Sequence, residues 1–168
     1  PDPISPYAVA KLAAERYCVS FARVYGLGTV TLRYFNVFGP RQDPTSQYAA
    51  VVPRFIAAVE AGEAVPIYGD GEQSRDFTYV ENVVDANVRA ADAPEASGHV
   101  INVATGEPRS VNALADTIGE VLDKPVEKEY LPPRTGDVRD SWADVAEARR
   151  LLGWEPQVGL EEGLRLTA

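Results

Sequence analysis

Hydrophobic residues recur along this chain with two spacings, one typical of helices and the other of strands. Apolar positions three or four residues apart predict amphipathic helices, and short runs rich in Val, Ile, Tyr and Phe predict strands. The two kinds of segment alternate without internal repeats. The predicted helices cover residues 8–25, 52–61, 83–91, 111–122, 143–152 and 160–166, and the predicted strands cover residues 29–35, 65–68, 75–80, 99–104 and 126–131.

Turn-forming residues separate these segments. Gly26 and Gly28 end the first helix, and Gly62 ends the second. A loop rich in Pro, Asp, Gln and Ser runs from Gly39 to Ser46. The alternation of strands and helices predicts an α/β fold, in which we expect residues 29–35 to form a buried strand of the main sheet.

The composition limits the classes of protein that fit. The chain has 168 residues, 45% of them hydrophobic, which suffices for one domain or for part of a larger one. Its net charge of −9 argues against a nucleic-acid partner, because phosphate neutralisation needs clustered cations. No apolar stretch approaches the roughly 18 residues of a membrane span. We therefore expect a cytoplasmic protein without a membrane or nucleic-acid partner.

A phenol and an ammonium lie four residues apart at the head of the first predicted helix. Tyr7 and Lys11 would share one helix face. A free phenol has a pKa of about 10 and needs roughly 4 kcal/mol of differential stabilisation to act as a base near pH 7. A cation one turn away supplies part of this stabilisation. The pair is a candidate acid/base centre, although the same spacing also arises by chance.

Five sequence blocks give this pair a context: YAVAK at 7–11, LRYFNVFGPRQDP at 32–44, IYGDGEQSRDF at 67–77, PRTGDV at 133–138 and LLGWEP at 151–156. Their order and spacing resemble the extended short-chain dehydrogenase/reductases that modify nucleotide sugars, above all the UDP-glucose and UDP-N-acetylglucosamine 4-epimerase group. That family also has a glycine-rich dinucleotide loop, which this sequence lacks. Since the chain starts at Pro1 and contains no Met, we expect it to be a C-terminal portion.

The resemblance implies a Rossmann-type α/β enzyme with NAD as its cofactor. Tyr7 would remove the proton of the sugar 4-hydroxyl while hydride leaves C4, and Lys11 would bind the nicotinamide ribose. Tyr34 is the third residue that the resemblance assigns to the cofactor site. No metal is implied.

The resemblance also assigns residues to the nucleotide sugar. Arg75 and Arg134 would hold the diphosphate, because a guanidinium engages phosphate oxygens bidentately. Asp137 would accept hydrogen bonds from the uridine ribose, and Tyr68 offers an aromatic face near the base. Asn36, which follows the end of a predicted strand, would also contact the substrate. Ala50 and Val51 would contact it through their backbone.

Two positions bear on the size of the sugar. Members of the family that admit only glucose and galactose commonly have a bulky Tyr four residues after the equivalent of Asp137, where this chain has Ser141. Gln42, like Ala50, is of a type found in members that handle acetamido sugars. Ser141 also suits the N-cap of the helix predicted at 143–152, and the two roles are compatible.

These observations predict a UDP-hexose 4-epimerase that acts through a 4-keto intermediate and accepts N-acetylated sugars. A UDP-glucuronate decarboxylase, a dTDP-glucose 4,6-dehydratase and a noncatalytic nucleotide-sugar-binding fragment are the alternatives. Residues 1–50 would end the dinucleotide-binding domain, and residues 51–168 would form a smaller α/β nucleotide-sugar domain with interleaved returns to the main sheet. The resemblance further implies a homodimer through the helix from Tyr7 to Tyr25.

Overall fold

Helices and short strands alternate along the chain in the computed structural model, which describes residues 3, 5–43, 50–134 and 136–168. The helices are α1 Pro6–Tyr25, α2 Val51–Ala61, α3 Val80–Ala91, α4 Val111–Leu122, α5 Ala146–Leu152 and α6 Leu160–Arg165, and a single 3-10 turn spans Pro94–Ala96. The strands are β1 Thr31–Tyr34, β2 Val37–Phe38, β3 Val65–Tyr68, β4 Ser74–Arg75, β5 Thr78–Tyr79, β6 Val100–Val103, β7 Arg109–Ser110, β8 Lys128–Leu131 and β9 Asp140–Ser141. The predicted α/β class is confirmed.

The first helix has sequence signals at both ends. Ser5 Oγ accepts a hydrogen bond from the N–H of Ala8 at 3.1 Å, and Pro6 occupies the first helical position, where no N–H is needed. Gly26 follows the helix in the left-handed conformation, with φ at 65°, and its N–H donates to the carbonyl of Ala22. These caps explain why the bounds of α1 agree closely with the prediction.

Most strand pairs in the described residues are parallel. β1 pairs with β6, β2 with β5 and β3 with β8, each in parallel. β4 lies between β7, which is antiparallel, and β9, which is parallel. The carboxyl ends of β1 and β3 are therefore followed by the loops that carry Asn36 and Gly69, which is where open α/β sheets present ligand groups.

Two main clusters of buried side chains hold these elements together. The larger joins α2, α4 and α6 to β3 and β5, with Ile67 and Leu114 fully buried. The other joins α3 and α5 to β6, and Trp154 is fully buried in it. Leu32 of β1 packs against this second cluster. The domain boundary at residue 50 remains a prediction.

A buried amide fastens the segment between α5 and α6 to α3. Oδ1 of Asn82 accepts hydrogen bonds from the N–H groups of Gln157 and Val158, at 2.9 and 3.0 Å. Its Nδ2 donates to the carbonyl of Val158, and its own carbonyl accepts from Nε1 of Trp154. Asn82 thereby fixes the C-terminal segment, and none of these hydrogen bonds involves a predicted site residue.

Three predicted elements need correction. The strand at 29–35 covers only Thr31–Tyr34 and is half-buried with Tyr34 exposed, because β1 has one neighbouring strand in the described residues. The strand at 75–80 is interrupted by Asp76 and Phe77, and Val80 already begins α3. The helix at 143–152 begins only at Ala146, because Ala143 and Val145 turn into a third small buried cluster.

The other predicted elements match with end shifts of three residues or less. Only residues 39–43 of the predicted loop from Gly39 to Ser46 belong to the described part of the chain. Among the described residues, three two-residue strands lie outside every predicted strand. A two-residue strand has too few positions to show a periodicity, which is why β2, β7 and β9 left no signal.

Candidate functional site

A cavity of about 230 Å³ opens between the start of α2, strand β3 and the residues Arg134 and Asp137. The described residues around it include most of those predicted to bind substrate: Asn36, Ala50, Val51, Tyr68, Arg75, Arg134 and Asp137. A second hollow of about 530 Å³ shares Tyr68, Gln73, Arg134 and Asp137 with the first. The two form one groove, which we call the β3 groove. Gln42 and Ser141 do not line it.

Arg75 has a fixed orientation in the β3 groove. Its Nη2 lies 2.5 Å from Oδ1 of Asp137 in an ion pair, and its Nη1 donates to the carbonyl of Ser74 at 2.7 Å and more weakly to that of Arg139. The side chain of Arg75 is only 15% exposed. A guanidinium held on both sides loses little conformational entropy when it binds an anion, so this cation is prepared for a phosphate oxygen.

Arg134 lies over the face of Tyr68. The guanidinium carbon is 3.8 Å from the centroid of the ring, within range of a cation–π contact. Hydrogen bonding and the positive charge of Arg134, with a smaller contribution from Arg54, lower the pKa of the Tyr68 phenol. Gln73, which sequence reasoning missed, donates from Nε2 to the carbonyl of Tyr68 at 2.8 Å and is almost buried.

Asn36 follows β1 in a left-handed backbone conformation, with φ at 33°. Asn is one of the few residue types that accept this conformation. Its Nδ2 donates to the carbonyl of Asp76 at 3.0 Å, and its own carbonyl accepts from the N–H of Thr78. The side chain therefore has a defined orientation at the edge of the β3 groove.

Ser141 is not a helix N-cap, so that prediction is wrong. It belongs to β9 and lies opposite Arg75 in the parallel pairing of β9 with β4. The reason is that α5 begins five residues later, where Oδ1 of Asp144 accepts from the N–H of Ala146. Gln42 lies in the loop that follows β2 and donates to the carbonyl of Val37 at 3.3 Å, while no described group pairs with its buried Oε1.

The three residues assigned to the cofactor lie outside the β3 groove. Tyr7 and Lys11 share one face of α1, with the ammonium 5.4 Å from the centroid of the ring, and both are exposed. Their predicted common face is confirmed. Tyr34 donates from its hydroxyl to Oδ1 of Asn87 at 2.9 Å. Their roles in catalysis and cofactor binding remain predictions.

An ion pair with a buried carboxylate joins the helix of Tyr7 to β1. Glu15 is 6% exposed and accepts two hydrogen bonds from Arg33, at 2.7 and 2.9 Å. The hydrogen bond from Arg33 is the main cause that lowers the pKa of the Glu15 carboxyl. We call this pair the α1–β1 fork. Sequence reasoning missed it, although a carboxylate among the inward positions of a helix is the signal that could have indicated it.

Asp76 is a second buried carboxylate that the sequence did not single out. It is completely buried, and its oxygens accept hydrogen bonds from Thr105 N–H, Thr105 Oγ1 and Gly106 N–H at 2.8, 2.6 and 2.8 Å. It lies between Arg75 and Phe77, where the predicted strand is interrupted. The sequence signal that could have indicated this buried carboxylate is an acidic residue within a run that otherwise favours a strand.

Two negative findings apply to the described residues. None of their helices is long and apolar enough to cross a membrane. No group of three or more His, Cys, Asp and Glu side chains among them is arranged to hold a metal ion.

The fold and the groove together define a class of protein. Parallel strands that present ligand-binding loops at their carboxyl ends are features of α/β folds that bind nucleotides, and this chain combines them with a Tyr-x-x-x-Lys helix and a groove that holds two arginines. The model of the NAD dependent epimerase/dehydratase family matches residues 1–104. The chain belongs to this family.

Similar proteins agree with this assignment. The UDP-glucose 4-epimerase of Mycolicibacterium smegmatis is 43% identical over 166 residues, which are 99% of this chain and 52% of that protein. The structure of Thermotoga maritima UDP-glucose 4-epimerase with UDP-glucose gives a TM-score of 0.94 at 48% identity, over 99% of this chain and 53% of that one. The UDP-N-acetylglucosamine 4-epimerase of Methanobrevibacter ruminantium, in complex with UDP-N-acetylmuramic acid, gives 0.93 at 47% identity over the same shares.

The predicted resemblance to the UDP-glucose and UDP-N-acetylglucosamine 4-epimerase group is therefore confirmed. The chain spans about half the length of the curated relatives it matches.

Proposed function

We propose that this chain forms the nucleotide-sugar-binding part of an NAD-dependent UDP-hexose 4-epimerase that accepts N-acetylated sugars as well as UDP-glucose and UDP-galactose. The observation that carries the proposal is the β3 groove, where Arg75, Arg134 and Asp137 lie within one cavity. Two cations and a carboxylate in one groove complement a diphosphate that is attached to a ribose. The similarity to proteins named as UDP-sugar 4-epimerases supports the same conclusion.

Each groove residue has a chemical task in this proposal. Arg75 and Arg134 bind the diphosphate oxygens, and the ring of Tyr68 lies against the base. Asp137 uses Oδ1 for its ion pair with Arg75, and we assign its other oxygen to the ribose hydroxyls. Asn36 binds the sugar end of the substrate from the edge of the groove. Backbone groups of Ala50 and Val51 would contact the diphosphate where α2 begins.

Tyr7 and Lys11 supply the acid/base chemistry. Both side chains are exposed on one face of α1, so they are accessible to a cofactor and a substrate. Tyr7 takes the proton from the sugar O4 and returns it, while Lys11 holds the nicotinamide ribose. We also assign Tyr34, at the end of β1, to the cofactor. The chemistry that NAD supplies when bound is the reversible removal of hydride from C4.

Helix α1 is also the surface that we assign to a homodimer. Its exposed large side chains are predominantly aromatic, which is typical of interface residues. Phe21 and Tyr25 lie in contact, with ring centroids 5.3 Å apart. The exposed apolar residues of the helix are Tyr7, Val9, Tyr17, Phe21, Val24 and Tyr25.

The proposal is tested by separating binding from turnover. We expect the 168-residue chain alone to bind UDP, measured by calorimetry, but neither to hold NAD nor to convert UDP-glucose, since its sequence contains no glycine-rich dinucleotide loop. A full-length protein that contains this chain should produce UDP-galactose from UDP-glucose without net consumption of NAD.

Other results would contradict the proposal in distinct ways. Turnover by the chain alone would show that the NAD site needs nothing outside it. Release of carbon dioxide from UDP-glucuronate, or a 4-keto-6-deoxy product from dTDP-glucose, by the full-length protein would instead support the decarboxylase or the dehydratase. UDP binding by a full-length protein without NAD or turnover would support a noncatalytic binding module.

The acceptance of acetamido sugars is tested at Ser141. In the full-length protein, we expect Ser141→Tyr to depress the use of UDP-N-acetylglucosamine by roughly 10-fold or more relative to UDP-glucose, because the added ring fills space that the acetamido group needs. The quantity to measure is the ratio of the two kcat/KM values.

A matched variant, Ser141→Ala, removes the hydroxyl without adding bulk and should leave this ratio near its original value. A ratio that stays constant in Ser141→Tyr would show that other residues limit the sugar pocket.

A further inference from the structure

Asp76 connects residues that the proposed function places around the substrate. Its N–H donates to the carbonyl of Ser141 at 3.0 Å, and its carbonyl accepts from Nδ2 of Asn36 at 3.0 Å. It also directly follows Arg75, the cation paired with Asp137. The main chain of Asp76 therefore holds the side-chain amide of Asn36 and strand β9 close to Arg75.

The carboxylate of Asp76 points away from these groups toward another loop. Its oxygens receive three hydrogen bonds from Thr105 and Gly106, which follow β6. A fully buried carboxylate is costly unless such donors compensate it, and an isosteric amide cannot accept all three. The orientation of the Asp76 side chain is thus determined by the loop at 105–106, and its main chain is held with it.

We propose that Asp76 is a positioning residue of the nucleotide-sugar site, an inference that rests on the function proposed above. Its buried carboxylate anchors the main chain between β4 and β5, and this anchor sets where Arg75 and Asn36 meet the substrate. Asp76 itself does not line the β3 groove and touches no reacting atom. Its loss should therefore weaken binding of the nucleotide rather than remove a chemical step.

A purely structural role is the competing explanation, and Asn82 provides the control. Asn82 is also buried and also accepts or donates several hydrogen bonds, but it fastens only the C-terminal segment to α3. Asp76→Asn and Asn82→Asp are isosteric exchanges in opposite directions. Each places a mismatched polar atom against buried main-chain groups, so both should lower Tm.

The deciding measurement is the UDP dissociation constant of the chain, determined by calorimetry beside Tm. We expect Asp76→Asn to raise this constant by about 10-fold or more, because the displaced main chain shifts both Arg75 and Asn36. Asn82→Asp should change it by less than about 2-fold at a comparable loss of Tm. Equal dissociation constants in wild type and Asp76→Asn, with a lowered Tm, would overturn the inference.

A milder pair of variants covers the case in which Asp76→Asn does not fold. Thr105→Val removes the hydroxyl that donates to Asp76 from a residue outside the β3 groove. We expect about a 3-fold weaker affinity for UDP, corresponding to part of one hydrogen bond. Thr117→Val removes a comparable hydroxyl, which donates only to Ala113 within α4, and should leave the affinity unchanged.

The outcomes separate this inference from the proposed function. A wild-type chain that fails to bind UDP overturns the proposed function and the role of Asp76 together. A wild-type chain that binds UDP, with Asp76→Asn equal to it, overturns the role of Asp76 alone, and where Asp76→Asn does not fold, an unchanged affinity in Thr105→Val does the same.

Discussion

Replacing Tyr7 by Phe in a full-length protein that contains this chain is expected to lower kcat by roughly 10² to 10⁴. The variant removes the group that we assign to the O4 proton and keeps the aromatic ring. Affinity for the UDP-sugar should change little, because Tyr7 lies outside the β3 groove. Steady-state kinetics with UDP-glucose and UDP calorimetry measure the two quantities separately.

Tyr17→Phe is the matched control for this experiment. Tyr17 lies on the same helix, is likewise exposed, and has no neighbour equivalent to Lys11 in the proposed scheme. Its variant should retain nearly full kcat. Comparable losses of kcat in both variants would mean that the loss reflects the surface of α1 and not an acid/base role of Tyr7.

Replacing Arg75 by Ala is expected to act on binding, with an affinity for UDP lowered by roughly 10- to 100-fold, the range for losing one charge-assisted contact to a phosphate. Part of this loss comes from Asp137, which would lose its partner. Arg75→Lys keeps the charge but not the planar fork, so it should recover only part of the affinity. Calorimetry with UDP at two salt concentrations checks both variants.

Arg109→Ala is the matched control for Arg75→Ala, because it removes a positive charge at a neighbouring position. It lies directly opposite Arg75 in the pairing of β4 with β7, and its side chain is 54% exposed and outside the β3 groove. Arg109→Ala should leave UDP affinity nearly unchanged. If instead Arg75→Ala lowered kcat and left UDP affinity intact, the assignment of Arg75 to the diphosphate would be wrong.

The longer elements could be predicted because several local signals agree on them. Helix α1 has a capping Ser5, a proline at its first position and Gly26 at its end, and α2 ends at Gly62 in the same left-handed conformation. The observed bounds of β3, Val65–Tyr68, and of α4, Val111–Leu122, are the same as the predicted ones. Agreement between propensity, pattern and caps makes such bounds readable from sequence.

The features that could not be predicted from the sequence depend on contacts between residues far apart in the chain. Ser141 belongs to a strand only because β4, 66 residues earlier, offers it a partner in Arg75. Asp76 interrupts a strand pattern because its carboxylate accepts hydrogen bonds from Thr105 and Gly106, and Glu15 is buried because Arg33 donates to it. Such partners cannot be recognised from local spacing, whereas most of the predicted groove residues lie in the five sequence blocks and could be named from them.

The α1–β1 fork limits how far the phenol of Tyr7 can move relative to β1. Tyr7 lies eight residues from Glu15, about 12 Å along the helix, so a tilt of α1 by about 10° at the fork would move the phenol by about 2 Å. The two hydrogen bonds from Arg33 to Glu15 resist this tilt. Because the pKa of Glu15 is lowered in the folded protein, the carboxylate of the fork stays ionised to a lower pH than a free glutamate, and its contribution to stability, complete above the pKa of a free glutamate, is lost as the pH falls from there through the lowered pKa. As long as Glu15 is ionised, helix and strand therefore keep one common alignment, and the phenol of Tyr7 keeps its distance from the end of the strand that precedes Asn36.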